Sequence, residues 1–570
     1  MDPASLALGA LPIATKLLES CLTGYSLLCR VSAVGEDAQI LLCRLQIEHT
    51  RLRLWGSDLR AEGADFDDQL DKRGIRNLVV LVLAHLCTLF TDTERLRKAY
   101  GLLAPQGEAG GATSVPPPVL PAFLTLFGVR SPSIASTAEA VKRYTDHTQR
   151  SLSIVEKWKF VLRDRKKFAD MLEQLQYFND SLFNLIAPTH RARLDLTLSS
   201  RIIDSTVDPN ELGRIKSASQ RNAAPLSSSA TMKRFHLLMH SPETAFVSAA
   251  QLRCSRERLV LDDESTQRGL GRYGEPGSQR RIIAERKDYD RNLLREESID
   301  RIQDIARFLY MSSSCRSTDL PLPECLGYVE DTTKSRCYFL YSVPDDIKSL
   351  TTLEDLVPET FDPSRMPNLE NRLELARVLA AAVFRLHLTG WLHKGLRSSN
   401  ITYLTSPKEN LSLVVHPTLM GFDYSRLDKP NEKSDNSTTS GLNFDPYVHP
   451  EYQSVYAGSS AVPRRNNETK SETRFKRAYD IYSLGIILIE IALWQSIRIF
   501  HKKKYNAIKW HSVLRDIADV DLGHVVGSKY REVVKRCLDW DSAVSSVPRR
   551  SEGNEDPFLI FVVKPLFGCP

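Results

Sequence analysis

The chain has 570 residues, 42% of them hydrophobic and 26% charged, with a formal net charge of +6. Such a length exceeds what one core can organise, so two or three domains of ordinary globular composition are expected. So mild a basic balance leaves no electrostatic footprint for nucleic acid, and no nucleic-acid partner is expected. The ten cysteines form no C-x-x-C pair and none stands at zinc-ligand spacing with a histidine, so no metal site is expected. They read as buried, reduced thiols of a cytoplasmic protein.

In chain order, Ala4 to Thr15 is almost wholly apolar or small. Asp2 follows Met1 with no basic region, so it does not read as a secretory signal. Lys16 and Glu19 interrupt it well before the roughly 20 apolar residues a membrane span needs. An apolar first helix that something must cover is the expectation. Between Asp37 and Trp55, Leu41, Leu45, Leu52 and Trp55 recur at helical spacing, with Arg44, Glu48 and Arg51 on other faces. Gly56 is expected to cap that helix. Helical patterns return over Arg73–Tyr100 and, after a Gly/Pro-rich loop at Gly107–Pro118, over Ser136–Leu185. In the last of these, Trp158, Val161, Phe168, Leu172, Leu175, Phe178 and Leu182 share one apolar face. No β-type alternation interrupts this half, so residues 1–203 are expected to form an all-α bundle. Ser217–Ser229 has linker composition, and 204–232 is taken as the connection.

The texture then changes. Short β-like runs stand at Leu259–Leu261, Ile282–Ala284, Leu326–Val329 and Cys337–Val343, and longer helices at Leu373–Leu388 and Tyr479–Trp494. Strands followed by helices imply an α+β domain of two lobes over 233–570. Trp391–Asn400 follows an amphipathic helix and precedes a strand-like Ile401–Leu404. Its spacing is that of the protein-kinase catalytic loop H-R-D-L-x-x-x-N. Here it reads His393, Lys394, Gly395, Leu396 and then Asn400, so glycine replaces the catalytic aspartate while the metal-binding asparagine is kept. Downstream, Gly421, Phe422 and Asp423 occupy the place of D-F-G, with its ends exchanged. Losing both aspartates removes the base and a principal metal ligand, which phosphoryl transfer requires. Pro450 and Glu451 resemble the end of the A-P-E motif. Asp480 stands where kinases hold the catalytic-loop backbone from a buried helix.

The nucleotide side is open. Lys287 is either the ATP-contacting lysine, with Glu296 or Glu297 as its partner, or a solvated strand end. Gly269–Gly274 matches G-x-G-x-x-G, but it has no strand directly before it and no Val after it, so a disordered connection is expected. ATP is the one cofactor that these residues leave open.

The opening helix, Arg51–Gly56 and Trp158–Leu182 resemble the fungal HeLo domain, the prion-inhibition and propagation domain of heterokaryon-incompatibility proteins. The second half resembles the degenerate kinase-like domain fused to HeLo domains in filamentous fungi, carried by the strings at His393–Asn400, Gly421–Arg426 and Phe561–Leu566. The resemblance implies a pseudokinase that regulates a HeLo effector of programmed cell death. It implies self-association through the bundle or binding to another signalling protein. It also implies entry of the apolar N-terminal helix into a membrane on activation. The alternative is an atypical active kinase resting on Asn400, Asp480 and Lys287.

Overall fold

The computed structural model describes residues 13–31, 35–60, 66–91, 96, 102–103, 148, 152, 161–162, 164–239, 241, 247–289, 295–314, 320–404, 410–428, 445–456, 475–545 and 555–569. The chain divides into two compact units. One comprises Met1–Leu198 and Gly213–Ser227, the other Ser199–Leu212 and Ser228–Pro570.

Helices build the first unit. Apolar residues at spacings of three and four place Ile13, Leu17, Cys21, Tyr25 and Leu28 on the buried face of α1 (Ile13–Leu28), while Lys16 and Glu19 point to solvent. The expected apolar start at Ala4 falls largely on residues 1–12, outside the described residues. Next come α2 (Glu36–Arg60), α3 (Phe66–Lys72) and α4 (Arg76–Thr91). Helix α2 does not stop at Gly56. It continues through it, because a Cβ there would lie 2.5 Å from Leu18 Cδ2, so the glycine lets α1 and α2 touch rather than capping a helix. The all-α expectation is also modified by a two-residue antiparallel pair, β1 (Leu102–Leu103) with β2 (Val161–Leu162). Helix α5 (Arg165–Phe183) buries Phe168, Leu172, Leu175 and Leu182, as the periodicity predicts, and its first turn is capped by the Asp164 carboxylate accepting from Lys167 N. Trp158 lies outside the described residues.

Two of the polar residues that the periodicity places off the apolar face of α2 are nonetheless buried, against α5. Glu48 and Arg51 are 0% and 6% exposed. Arg51 Nη1 lies 3.0 Å from Glu48 Oε2, and its Nη2 donates to Asp180 Oδ1 at 2.7 Å. Asn179 Nδ2 donates to Glu48 Oε2 at 2.8 Å. Removing one partner of such a buried, hydrogen-bonded ion pair is strongly destabilising, because it leaves the other uncompensated.

The linker expectation for 204–232 is corrected. After α6 (Pro188–Ile203) come α7 (Pro209–Ser219) and α8 (Ala224–Leu238), separated by a short turn. Serine suits linkers because its hydroxyl competes for backbone groups, but here that bonding falls within a helix and between neighbouring helices. Ser219 Oγ donates to Ile215 O at 2.6 Å, and Ser227 Oγ to Lys216 O at 3.2 Å. Lys233 Nζ donates to Ile203 O at 2.6 Å, satisfying a carbonyl at the end of α6.

The second unit combines a mixed sheet with helices. Its strands are β3 (Arg253–Cys254), β4 (Leu259–Leu261), β5 (Arg268–Tyr273), β6 (Arg280–Asp288), β7 (Glu324–Asp331) and β8 (Arg336–Ser342), in the order β3-β7-β8-β6-β5-β4. Only the β3–β7 pairing is parallel. Helix α9 (Arg295–Ser314) lies between β6 and β7 in the chain and packs on β7. All four β-like runs of the sequence fall in strands. Gly269–Gly274, expected to be disordered, is instead largely strand β5. Gly271 is needed there because a Cβ would sit 2.5 Å from Val260 O of the neighbouring strand.

The helical part rests on α10 (Leu369–Leu388), whose flanks are buried nearly all round, and on an apolar helix further along. β9 (Thr351–Thr352) precedes α10, and between the two helices run β10 (Trp391–Leu392), β11 (Ile401–Tyr403), β12 (Thr418–Leu419) and β13 (Arg426–Leu427), then α11 (Pro450–Tyr456). The apolar helix is α12 (Arg477–Leu493), which buries every residue from Ala478 to Ala492 and is followed by α13 (Ala507–Val520) and α14 (Ser528–Leu538).

Arg51→Ala, which strands Glu48, is expected to destabilise the helical unit by about 3–5 kcal/mol in denaturant titration. Arg165→Ala removes an exposed pair with Asp37 and is expected to cost less than about 1 kcal/mol.

Candidate functional site

The loop 393–400 hangs from a buried carboxylate. Asp480, 0% exposed on α12, accepts the backbone N–H of His393 at 2.8 Å and of Lys394 at 2.9 Å, one on each oxygen, while His387 Nε2 lies 3.2 Å away. These bonds hold Lys394 at φ +63°, a left-handed conformation that a side chain adopts only when its surroundings enforce it. Above the loop four aromatic rings form a column. His393 packs 4.5 Å from Phe422, which lies 6.2 Å from Phe308 of α9, and Phe308 in turn packs 3.9 Å from Trp391. Burial pushes the His393 imidazole down to about 4, so the ring in this column is neutral at neutral pH.

Sequence reasoning missed the residue at the centre, Arg268. It stands directly opposite Glu285 in the β5–β6 pairing. Its Nη2 donates to Glu285 Oε1 at 2.5 Å and to Asn400 Oδ1 at 2.7 Å, and its Nε to Glu285 Oε1 at 3.0 Å. Its Nη1 donates to Ser399 O at 2.9 Å and Thr402 Oγ1 at 3.4 Å. All five donors of the guanidinium are therefore spent inside the protein. Glu285, itself buried, also accepts from Tyr341 Oη at 3.0 Å and from Gly421 N at 3.0 Å. Asn400 is spent at both ends, because its Nδ2 donates to Gly395 O at 2.6 Å. One clue was present in the sequence. Glu285 follows the apolar run Ile282–Ala284, and a carboxylate on a buried strand requires a partner.

The two glycines fit this packing. A Cβ on Gly395 would lie 3.0 Å from Gly421 O and 3.3 Å from Asn400 Nδ2. At Gly421 the backbone is left-handed (φ +84°) and a Cβ would fall 2.1 Å from Asn400 Nδ2. Gly421 has no room for an aspartate while Asn400 keeps its bonds to Arg268 and to Gly395, and at Gly395 a side chain would be tightly crowded.

Lys287 is not a solvated strand end. It is buried on β6, two residues beyond Glu285, with Nζ 5.2 Å from the centre of the Tyr424 ring. Beside it Asp423 is buried too, and its Oδ2 accepts from Gln267 Nε2 at 3.4 Å. Burial, reinforced by the Glu285 charge, raises the Asp423 carboxyl to about 6 although Lys287 and Arg268 oppose the shift. Glu296 and Glu297 belong to the first turn of α9, but their side chains lie outside the described residues. The turn joining β4 to β5 carries Asp262, Asp263 and Glu264 and no glycine. Its acids pair with bases, Asp262 with Arg281 at 2.7 Å and Glu264 with Arg256 at 2.8 Å. Such a turn repels phosphate rather than cradling it.

Arg397 pairs with Asp445 at 2.9 Å. Ser398 Oγ shares a 2.6 Å hydrogen bond with Tyr447 Oη, which also donates to the buried Glu490 at 2.7 Å. Glu451 reaches Lys476 Nζ at 3.1 Å, and Pro450 opens α11. The structure thus gathers His393, Gly395, Asn400, Gly421, Phe422, Asp423 and Lys287 around Arg268 and Glu285. Pro450 and Glu451 stand apart from this cluster on α11, where Glu451 pairs with Lys476. Among the described residues no cluster of three or more His, Cys, Asp or Glu could hold a metal ion.

The raised carboxyl gives a pH signature. An acid whose folded pKa exceeds its ordinary value loses stability as pH rises through the window between the two, here from about 4 to about 6. His393 acts in the opposite direction, losing stability as pH falls from about 6.5 toward about 4. Asp423→Asn is therefore expected to match the parent near pH 4 and to exceed it at pH 7 by at most about 3 kcal/mol. The check is the difference between the two unfolding curves against pH, in which the His393 contribution cancels.

Comparison with known families divides the chain similarly. No curated protein matches it. Residues 294–561 match a domain of unknown function, DUF7580. Residues 5–215 match the HeLo family, described as prion-inhibition and propagation, past the boundary expected at 203. Among the described residues no helix is long and apolar enough to cross a membrane. The chain therefore carries a HeLo domain over residues 5–215, and that domain suggests a signalling role in fungal cell death and incompatibility.

Proposed function

We propose that the protein is a non-enzymatic signalling effector in which the HeLo bundle supplies the output and a degenerate kinase-like domain supplies the control. The observation that carries this reading is Arg268. In an open nucleotide cleft, a loop asparagine and a strand lysine would face phosphates and metal. Here Asn400 is bonded to Arg268 and Gly395, Lys287 is packed over Tyr424, and Arg268 is held by Glu285. The strand order, the loop suspended from Asp480 and the aromatic column support a kinase-like scaffold kept for its shape. Gly395 and Gly421 oppose the alternative of an atypical active kinase, since neither can supply a base or a metal ligand and the place of a side chain at Gly421 is taken by Asn400.

Such a domain works as a platform. A partner that binds one arrangement of the scaffold better than another shifts its population, with no chemistry needed. The partner class is another signalling protein or a second copy of this chain, and the output is membrane action by the N-terminal helix. In the resting fold α1 is seated with Leu17, Leu18, Cys21 and Tyr25 at 1% exposure or less, so membrane entry requires its release.

Full-length protein titrated with ATP, with and without magnesium, is expected to keep its melting temperature. A site that bound nucleotide would add about 2.7 kcal/mol at a hundredfold excess over Kd. Restoring both acids (Gly395→Asp with Gly421→Asp) is expected to lower stability and to yield no phosphate transfer. A magnesium-dependent shift in the parent, or transfer by the double variant, contradicts the reading.

A further inference from the structure

Away from the charge cluster, α1 and α4 meet at two cysteines. Cys21 and Cys87 are 0% and 1% exposed, with their Sγ atoms 3.2 Å apart. The arrangement is reciprocal. Cys21 Sγ lies 3.3 Å from the carbonyl oxygen of Leu83, one turn before Cys87, and Cys87 Sγ lies 3.5 Å from that of Leu17, one turn before Cys21. Each thiol thus rests on the backbone of the opposite helix, so the two helices approach to within one small side chain. Gly24 keeps them there, because a Cβ at that position would fall 2.4 Å from Phe90 Cγ. To bond, the sulfurs need to draw about 1.2 Å closer, to the roughly 2.05 Å of a disulfide, a movement within reach of small side-chain rotations. The other cysteines of this unit among the described residues, Cys29 and Cys43, are half-buried.

We propose that Cys21 and Cys87 form an intramolecular dithiol–disulfide couple, oxidised by a peroxide, that latches α1 onto α4. In the first step one thiolate attacks a peroxide oxygen. An S–O bond forms, the O–O bond breaks, and the leaving hydroxide takes a proton to become water. In the second step the other thiolate attacks that sulfur. The S–S bond forms, the S–O bond breaks and a second water leaves. Two thiols and one hydrogen peroxide thus give one disulfide and two waters, with two electrons passing from the sulfurs to the peroxide. Burial, with the Cys87 hydrogen bond second, pushes the Cys21 thiol well up. Since only the thiolate reacts, the seated pair is protected, and oxidation follows brief excursions of α1 that admit peroxide before the helix reseats. The reduced form leaves α1 free to depart, and the oxidised form ties it down. This holds whatever α1 does once released.

The test uses the full-length chain treated with hydrogen peroxide, alkylated, and digested without reductant for mass spectrometry. The expected product is a Cys21–Cys87 cross-linked peptide two hydrogens lighter than the free pair, from protein that migrates as a monomer and reverts with dithiothreitol. Hydrogen exchange of the α1 amides is expected to slow more than about tenfold in the oxidised form. The comparison of oxidised with reduced parent needs no variant. Cys87→Ala, if it folds, is expected to lose the effect. Sulfinic acid at either position without a cross-link, pairing with other cysteines or between chains, or a cross-link that leaves α1 exchange unchanged would each overturn the proposal.

Discussion

The second unit depends on one cross-strand ion pair. Arg268 and Glu285 face each other across β5 and β6, and both reach into the space where the loops at 395–400 and 420–424 converge. A buried charge is tolerated only when its partner and hydrogen bonds are all present. Here they are. The guanidinium has an acceptor for every donor, and the carboxylate draws on Arg268, Tyr341 and Gly421 N. The pair stitches sheet to loops, and the left-handed turn at Gly421 follows from it, since only a residue without Cβ can sit against the fixed Asn400 amide.

Asp480 supports the same region from the other side. Its carboxylate holds two backbone N–H groups of the loop, so the strained φ of Lys394 is maintained by bonds from a helix buried along nearly its whole length. The loop is thus fixed from below by Asp480 and from above by Arg268 through Asn400. A site held on both sides by internal bonds is pre-organised for shape rather than for exchanging ligands. The helical unit uses the same device at Glu48, Arg51 and Asp180, where an internal cluster sets how α2 meets α5.

Local patterns made much of this legible. The strands at Leu259–Leu261, Ile282–Ala284, Leu326–Val329 and Cys337–Val343 stood out as apolar runs, and α10 and α12 by their length and apolar pattern. The spacing of His393, Asn400, Gly421 and Asp480 marked residues that the fold gathers or suspends. What the sequence hid was long-range. Arg268 lies in a glycine-rich, charged stretch whose composition resembles a loop, and its partner Asn400 is 132 residues away. The burial of Glu48 and Arg51 was hidden because periodicity reports which residues are polar, not which polar residues have found each other. Gly56 looked like a helix end because a glycine required for close packing is indistinguishable, in one sequence, from a glycine required for a cap. Ser217–Ser229 looked like a linker because serine favours irregular backbone until a helix supplies its hydroxyl with a carbonyl.

The central claim is that Arg268 and Glu285 act as a unit that closes the site from within. A double-mutant cycle of Arg268→Met and Glu285→Gln, followed by denaturant unfolding of the full-length protein, tests it most directly. The account predicts that the two single losses are far from additive, with a coupling of about 2–3 kcal/mol, because each single variant strands a buried charge that the double variant removes. Additivity to within about 0.5 kcal/mol would show that the pair holds nothing together and would contradict the account.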